Sequence, residues 1–157
     1  MKVDHDEYES RMHRFREAFK RSGAKMTHQR IEIFREVAQT GEHPDAATIY
    51  QRVRERMPTI SLDTVYRTLW MLMDMGLIST LEIHRERVHF DGNTAIHHHF
   101  ICTGCGITRD IHSEDLNNLE APEEVKSMGG VETTHVEFRG LCSECSKKDE
   151  RGQGATQ

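Results

Sequence analysis

Between Val88 and Asp110 the chain reads VHFDGNTAIHHHFICTGCGITRD, which places Asp91, His97, His98, His99, Cys102, Cys105 and Asp110 in one short stretch. That density of imidazole, thiol and carboxylate exceeds the needs of a core or a surface loop, and it divides by hardness into two candidate metal sites. The soft donors are the cysteines. Cys102 and Cys105 form a C-x2-C pair, and Cys142 and Cys145 repeat it, so the four cysteines of the chain fall into two matched pairs. This is the arithmetic of a tetrahedral zinc site made of four thiolates. The short spacing lets two sulfurs of one turn reach a single ion, and Gly104 and Gly106 relieve the backbone where it bends around them. Two disulfides, a redox C-x-x-C or an iron on the same sulfurs are the alternatives. Zinc is favoured because nothing in the chain looks secretory and one site accounts for every cysteine.

The harder donors are His97, His99, Asp91 and Asp110. If residues 97–101 are extended, His97 and His99 share one face and His98 points the other way, because side chains alternate along a strand. Two imidazoles with carboxylates suit Mn, Fe or Zn. The bland alternative is a solvated histidine run. A catalytic zinc keeps an open position for water, whereas a regulatory site spreads its ligands over parts that move.

These groups need elements to position them. With 157 residues, 36% hydrophobic and 30% charged, the chain suits one domain or two small ones and is rather polar. No apolar run reaches the length of a membrane span, and residues 1–22 are charged where a signal peptide would be apolar, so a cytoplasmic location with reduced cysteines is expected, without membrane association. The net charge of −5 is unevenly spread: residues 1–78 carry 13 Lys/Arg against 12 Asp/Glu, and residues 79–157 carry 8 against 14. A nearly neutral first half can still gather its bases on one face and meet nucleic acid.

Along that first half, Tyr8, Met12, Phe15 and Phe19 recur at helical spacing within Glu7–Ser22, and Gly23 stops the helix. Thr27 is an N-cap for a second helix reaching Gln39, with Ile31, Phe34 and Val37, or Ile33 and Val37, as its apolar positions. Asp45 caps a third, with Ala47, Ile49, Tyr50 and Val53 inward, which Pro58 ends. A fourth runs from after Ser61 to Met75 with Val65, Leu69, Leu72 and Met73 inward, ending at Gly76. Short helices with tight turns, then strands at Leu77–His84 and Arg87–Asp91 joined by a turn, predict a winged helix. Its reading helix presents Asp63, Thr64, Tyr66 and Arg67, side chains that reach bases and phosphates. A plain surface pair on a packed helix is the alternative for Tyr66 and Arg67.

Beyond Asp91 the period changes to two. Strands are expected at Phe100–Cys102, Gly106–Ile111 and Val131–Leu141, with a helix over Glu114–Met128 that buries Leu116, Leu119 and Val125. The fold class is therefore α+β: a winged-helix DNA-binding domain over residues 1–90, a hinge over 91–95, a small α/β dimerisation and metal-binding domain over 96–146 with the four-cysteine zinc site, and a disordered tail over 147–157. Zinc supplements a half-chain core that is small by itself, and an uncovered edge or helix is a natural dimer surface.

The order of these pieces resembles the ferric-uptake-regulator family of metal-dependent bacterial repressors. The resemblance covers about residues 10–148 and rests on five ordered motifs: Gly23-Ala-Lys-Met-Thr-His-Gln-Arg30, His43-Pro-Asp-Ala-Ala-Thr-Ile-Tyr50, Ser61-Leu-Asp-Thr-Val-Tyr-Arg-Thr-Leu69, His97-His-His-Phe-Ile-Cys-Thr-Gly-Cys-Gly106 and Gly140-Leu-Cys-Ser-Glu-Cys145. It implies a homodimer that binds an inverted-repeat operator when Fe2+ or Mn2+ occupies a regulatory site of His43, Asp91, His97, His99 and Asp110. Its DNA contacts would be Lys25, Arg30, Ser61, Thr64, Tyr66 and Arg67. His43 lies in the DNA-binding half, so one ion held by both halves would fix the angle between them and match the two reading helices to successive major-groove turns. An aspartate at position 91, with three histidines and two aspartates in the set, resembles the peroxide-sensing branch. There, Fe(II) reacts with hydrogen peroxide, a ligating histidine is oxidised, the metal leaves and DNA is released; the matching positions are His43 and His97. Manganese would support DNA binding without that reaction. Arg67 is more typical of iron-uptake members, and an iron-responsive regulator without peroxide sensing is the alternative. His28 stands where the family usually has proline, and Ile96, His98 and Asn117 stand where other members place ligands of an additional site.

Two other classes match part of the pattern. His84-Arg-Glu86 with Cys102-x2-Cys105 faintly matches the H-x-E and P-C-x-x-C signature of nucleobase deaminases, which would make the chain a zinc enzyme. Ile101 replaces the proline, and the second C-x2-C would have no role. A zinc-stabilised interaction module without DNA is the other. No enzyme activity and no small-molecule substrate are expected.

Overall fold

The computed structural model of the chain describes residues 2–84 and 87–153. The turn expected between the two strands, at residues 85 and 86, with Arg85 and Glu86 of the deaminase-like triplet, and residues 154–157 of the expected tail lie outside them. The chain forms two compact units, Met1–Thr94 and Ala95–Gln157.

The first unit holds α1 (His5–Ser22), α2 (His28–Ala38), α3 (Ala46–Arg56) and α4 (Leu62–Asp74), then β1 (Ser79–His84) and β2 (Arg87–Asp91). Each helix starts where a side chain can take the place of a missing carbonyl. Asp4, Thr27, Asp45 and Ser61 are the N-caps, and each accepts the amide N–H three residues on. Glycines at φ 67°, Gly23 and Gly76, follow the ends of α1 and α4, where a left-handed residue closes the last turn. The inward faces of the four helices meet in one core. Phe15, Phe34, Val37, Ile49, Val53, Val65, Leu69 and Leu72 are fully buried there, and Phe15 stacks on Phe34 with ring centroids 4.7 Å apart. Arg56 of α3 reaches two buried acids of α2, with Nε 2.9 Å from Glu32 Oε2 and Nη2 on Glu36 Oε1.

β1 and β2 pair antiparallel, with Ser79 opposite Asp91. Phe90 turns inward to the helical core, and its amide donates to the Pro44 carbonyl at 3.0 Å. The loop before α3 is thereby tied to β2.

The second unit holds β3 (His98–Cys102), β4 (Thr108–Ile111), α5 (Glu114–Asn117), α6 (Glu123–Lys126), β5 (Glu137–Gly140) and α7 (Ser143–Gln153). Its sheet has the order β4-β3-β5, antiparallel on one side of β3 and parallel on the other. Among the described residues no helix is long and apolar enough to cross a membrane.

Four sequence expectations are corrected. In α3 the buried alanine is Ala46, and Ala47 faces solvent, because the i, i+3, i+7 spacing puts Ala46 on the face of Ile49 and Val53. The helix expected over Glu114–Met128 is two short pieces. Pro122 disfavours helix at the residue before it, and Leu119 and Val125 remain 51% and 41% exposed, so no packing drives a continuous helix. The strand expected over Val131–Leu141 shrinks to β5, since its partner β3 offers pairing only from His99 to Cys102. The expected tail is helical through Gln153: Glu144, Lys147 and Lys148 are good helix formers, and Lys147 Nζ sits 3.6 Å from Glu144 Oε1, one turn back.

Phe15→Ala removes a fully buried ring from the centre of the helical core, and the expected cost is about 3–5 kcal/mol of stability. Denaturant unfolding of the two proteins, read as a shift in midpoint at constant slope, measures it.

Candidate metal centres

The two C-x2-C pairs meet because of strand register. β5 runs parallel to β3 with Gly140 beside Cys102, so Cys142, two residues further on, arrives next to Cys102. The first pair sits in a tight turn in which the Gly106 amide donates to the Cys102 carbonyl at 2.9 Å, and Gly106 takes φ 74°. The second pair lies at the start of α7. One sulfur from each of the four cysteines lies within 4.8 Å of the others. None is in a disulfide, and Cys105 Sγ and Cys142 Sγ are 3.8 Å apart, far beyond an S–S bond. Gly104 lets the turn pack closely on the second pair: a Cβ on it would lie 3.1 Å from Cys145 Sγ and 3.0 Å from Leu141 Cδ2.

The electrostatics of this cluster favour a thiophilic dication. Amide groups of Cys142, Cys105 and Gly104 point at Cys102 Sγ, the first at 3.2 Å, and hold its thiol down to about 6. Cys145 is pushed up to about 12, because its thiol hydrogen-bonds to the sulfurs of Cys142 and Cys105 and is shielded from water beside Cys102. One sulfur is ready to ionise and another resists, so four thiolates become compatible only around a positive ion. The donor set and spacing fit tetrahedral zinc.

The harder donors divide between the units. In the first, His43 precedes α3 in the left-handed region at φ 51°, a conformation histidine tolerates better than most side chains. Its carbonyl accepts from His89 Nδ1 at 2.7 Å, and its Nε2 lies 3.5 Å from Asp91 Oδ2. Asp91 Oδ1 accepts the Asn93 amide at 2.7 Å, and both His43 and Asp91 are almost wholly buried. In the second unit, β3 and β4 place His99 opposite Asp110, with Nε2 3.8 Å from Oδ1. The ring centroids of His97 and His99 are 4.5 Å apart. His97 Nδ1 donates to the Ala95 carbonyl at 2.7 Å, which assigns the remaining lone pair to Nε2. His98 has a different role. Its Nδ1 accepts the Val136 amide and its Nε2 donates to Asn117 Oδ1, both at 3.1 Å, so this buried ring joins β3 to α5 and the approach to β5.

Sequence reasoning missed three residues beside these donors. His89 and Asn93 act through the backbone of the loop and of the strand end, and no motif marks them. His112 lies just past the end of β4, with its ring centroid 6.0 Å from that of His97, and no motif marks it.

The residues expected at DNA lie on α4 and at the start of α2. Asp63, Tyr66 and Arg67 are exposed with Trp70 on the face opposite Val65, Leu69 and Leu72. Asp63 Oδ2 and Arg67 Nε are 3.0 Å apart. Ser61 Oγ is occupied in capping α4, 3.1 Å from the Thr64 amide and 2.8 Å from Thr64 Oγ1. Arg30 Nη1 donates to the Lys25 carbonyl at 2.5 Å. Thr27, Gln29, Arg30, Thr64, Arg67, Thr68 and Met71 line a cavity of about 310 Å³.

Comparison with known proteins gives a consistent setting for these sites. A model of the Ferric uptake regulator family matches residues 21–139. The peroxide-responsive repressor PerR of Staphylococcus epidermidis is 32% identical over 133 residues, spanning 83% of this chain and 87% of the relative. That of Staphylococcus aureus is 31% identical over 150 residues, spanning 94% and 100%. Among solved structures, the Helicobacter pylori ferric uptake regulator Fur, described with three functional metal-binding sites, is similar at a TM-score of 0.72 with 25% identity over 93% of this chain and 97% of the other. The Campylobacter jejuni peroxide stress regulator follows at 0.65 with 27% identity over 74% and 88%.

Coordination by thiolates requires proton loss, so the affinity of the sulfur cluster for zinc is expected to fall as pH falls, and Cys102→Ser is expected to lose the ion and unfold the second unit. Structural zinc in small domains contributes on the order of 10 kcal/mol. Chelator competition across pH, with zinc content and circular dichroism of the variant, checks both. A well-folded variant without zinc contradicts the four-thiolate assignment.

Proposed function

The chain belongs to the ferric uptake regulator family, and from that premise we propose that it is a metal-dependent, peroxide-sensing repressor that binds inverted-repeat operator DNA as a homodimer in the cytoplasm. Family membership makes it a transcriptional regulator and not an enzyme.

In this reading the four thiolates hold zinc permanently, and a regulatory Fe2+ or Mn2+ is bound by His43 and Asp91 of the first unit with His97, His99 and Asp110 of the second. The observation that carries it is that each unit has an imidazole beside a carboxylate in a poorly solvated place: His43 with Asp91, and His99 with Asp110. Nitrogen and oxygen donors suit Fe2+ and Mn2+, and thiolates suit zinc. When bound, a ferrous ion supplies the redox chemistry that turns hydrogen peroxide into an oxidant of a neighbouring imidazole at His43 or His97; Mn2+ supplies the charge alone. The protein's own residues do the rest. His43 and Asp91 belong to the unit that reads DNA, so their engagement with donors of the second unit restricts the arrangements the two reading surfaces can sample. The competent fraction, and with it the apparent affinity, rises accordingly.

The four helices with the β1–β2 hairpin form the winged helix, and α4 is its reading element. Asp63, Thr64, Tyr66 and Arg67 face the major groove, while Lys25, Arg30 and Ser61 stand near phosphates. The apolar side chains that the second unit leaves exposed, among them Leu119, Met128, Val131 and Phe138, form the surface for a second copy. Of the hinge residues 91–95, those from 91 to 94 belong to the first unit, so hinge motion is assigned to the step into Ala95. Arginine at position 67, by its resemblance to iron-uptake members of the family, supports an iron-responsive regulator as the second reading, and the two differ in their response to peroxide.

His43→Ala is expected to keep the dimer and its zinc and to lose Mn2+-dependent operator binding. Trp70, the single tryptophan and 51% exposed on α4, is expected to change its emission when the parent protein binds operator and not when the variant is mixed with it. Retained Mn2+-dependent binding by the variant removes His43 from the site. Anaerobic Fe2+ loading followed by peroxide and peptide mass spectrometry is expected to place one added oxygen on the peptide of His43 or His97. Absence of an adduct with operator binding intact selects the iron-responsive reading.

A further inference from the structure

The segment that ends the first unit is held by helix α1. Arg14 Nη1 donates to Thr94 Oγ1. Arg11, on the same face one turn earlier, is 3% exposed, with Nε 2.7 Å from Glu7 Oε1 and Nη1 3.3 Å from the Ala38 carbonyl oxygen. Between these arginines the chain passes through Gly92 with no space to spare: a Cβ there would lie 3.1 Å from Arg11 Nη1 and 3.0 Å from the Val37 carbonyl oxygen. A buried guanidinium and the backbone of α2 give way reluctantly. Asn93, 8% exposed, then returns its amide to Asp91 Oδ1 at 2.7 Å, which aims Oδ2 at His43 Nε2, 3.5 Å away. Three contacts thus hold the four residues 91–94: Asn93 on Asp91, Gly92 against Arg11 and Val37, and Arg14 on Thr94.

We propose that α1 is a positioning element for the regulatory ion: Arg14 on Thr94, and Arg11 packed against Gly92, clamp the Asp91–Thr94 segment so that the Asp91 carboxylate is oriented before any metal arrives. The clamp rests on the reading of Asp91 as a ligand. It assigns Arg11, Arg14, Gly92 and Thr94 a role although none of them offers a donor to the ion. Contacts that orient a ligand typically govern metal affinity by about 10–100-fold.

The test uses the full-length, zinc-loaded protein with Mn2+ as the probe. Amide hydrogen exchange over residues 91–94 is measured without Mn2+, and Mn2+ affinity by the electron paramagnetic resonance of the free ion. Arg14→Ala and Thr94→Val are each expected to speed exchange in that segment and to weaken Mn2+ binding about tenfold or more, with zinc content and thermal midpoint held. The double variant is expected to be no worse than either single one, and Arg14→Lys, which can still donate to Thr94, to restore most of the affinity. Gly92→Ala is expected to give the same loss; because it can also fail to fold, the Arg14 and Thr94 variants carry the test. Faster exchange with unchanged Mn2+ affinity overturns the clamp, as does weaker binding without faster exchange. Asp91→Ala is the control. If it too leaves Mn2+ affinity unchanged, the ligand assignment falls; if it weakens binding while Arg14→Ala and Thr94→Val do not, the clamp alone falls.

Discussion

The second unit depends on β3 being paired on both sides. Antiparallel pairing with β4 sets His99 opposite Asp110, and parallel pairing with β5 sets Cys102 beside Gly140, so the same five residues align hard donors and soft donors at once. The unit has little else to hold it together. Among the described residues Ile101 and Cys102 are its only side chains in the buried apolar set, whereas that of the first unit extends through all four helices. With so small a core, apolar burial at roughly 25 cal/mol per Å² cannot by itself offset the entropy of ordering this many residues. The sulfur cluster and the His98 bridge to Val136 and Asn117 supply the missing cross-links. Both tie β3 to chain that is distant in sequence, which is where loop closure costs most.

In the first unit the polar groups near His43 sit on a framework that does not need them for stability. The helical core is complete without His43, Asp91 or Asn93, yet all three are buried, and burying a polar group without compensation costs on the order of 2–7 kcal/mol. The compensation is local: His89 on the His43 carbonyl, Asn93 on the Asp91 carboxylate and Phe90 on the Pro44 carbonyl. His43 also takes a positive φ, a conformation that persists only where its surroundings enforce it. Strain and buried polarity concentrated on a candidate ligand are what a preorganised half-site requires, and they explain why the loop before α3 and the end of β2 are laced together.

What was legible in the sequence follows from how local each signal is. Caps and stops are read from single residues, so Thr27, Asp45, Ser61, Gly23 and Gly76 bound their helices as expected. The period of α4 separates Val65, Leu69 and Leu72 from Tyr66 and Arg67 without ambiguity. Where an apolar pattern lacked a partner, the reading failed. Leu116, Leu119 and Val125 have helical spacing but little to pack against, and Val131 alternates like a strand where no neighbouring strand extends to meet it. The parallel pairing of β3 with β5 carries no local signal at all. The regulatory donors divide in the same way: His97, His99 and Asp110 stand out by proximity, while His43, nearly fifty residues from Asp91 in sequence, emerged only from the resemblance to a family.

Softness and closure together suggest why one chain would carry both donor sets three residues apart, His99 beside Cys102. Zinc outcompetes manganese and ferrous iron for almost any ligands, so a chain that needs one of the latter at a nitrogen and oxygen site benefits from a thiolate site that zinc prefers more strongly. The sulfur cluster has four donors and therefore no open position, and Gly104 packs close against Cys145, where a Cβ would lie 3.1 Å from Sγ. Under the proposed function that closure matters. Thiolates are the chain's most oxidisable groups, and a sensor that reports peroxide through an imidazole has to keep it from its sulfurs. Zinc bound there would draw on one lone pair of each thiolate and so lower its nucleophilicity, which would leave the imidazoles of the second donor set as the groups on which peroxide chemistry acts.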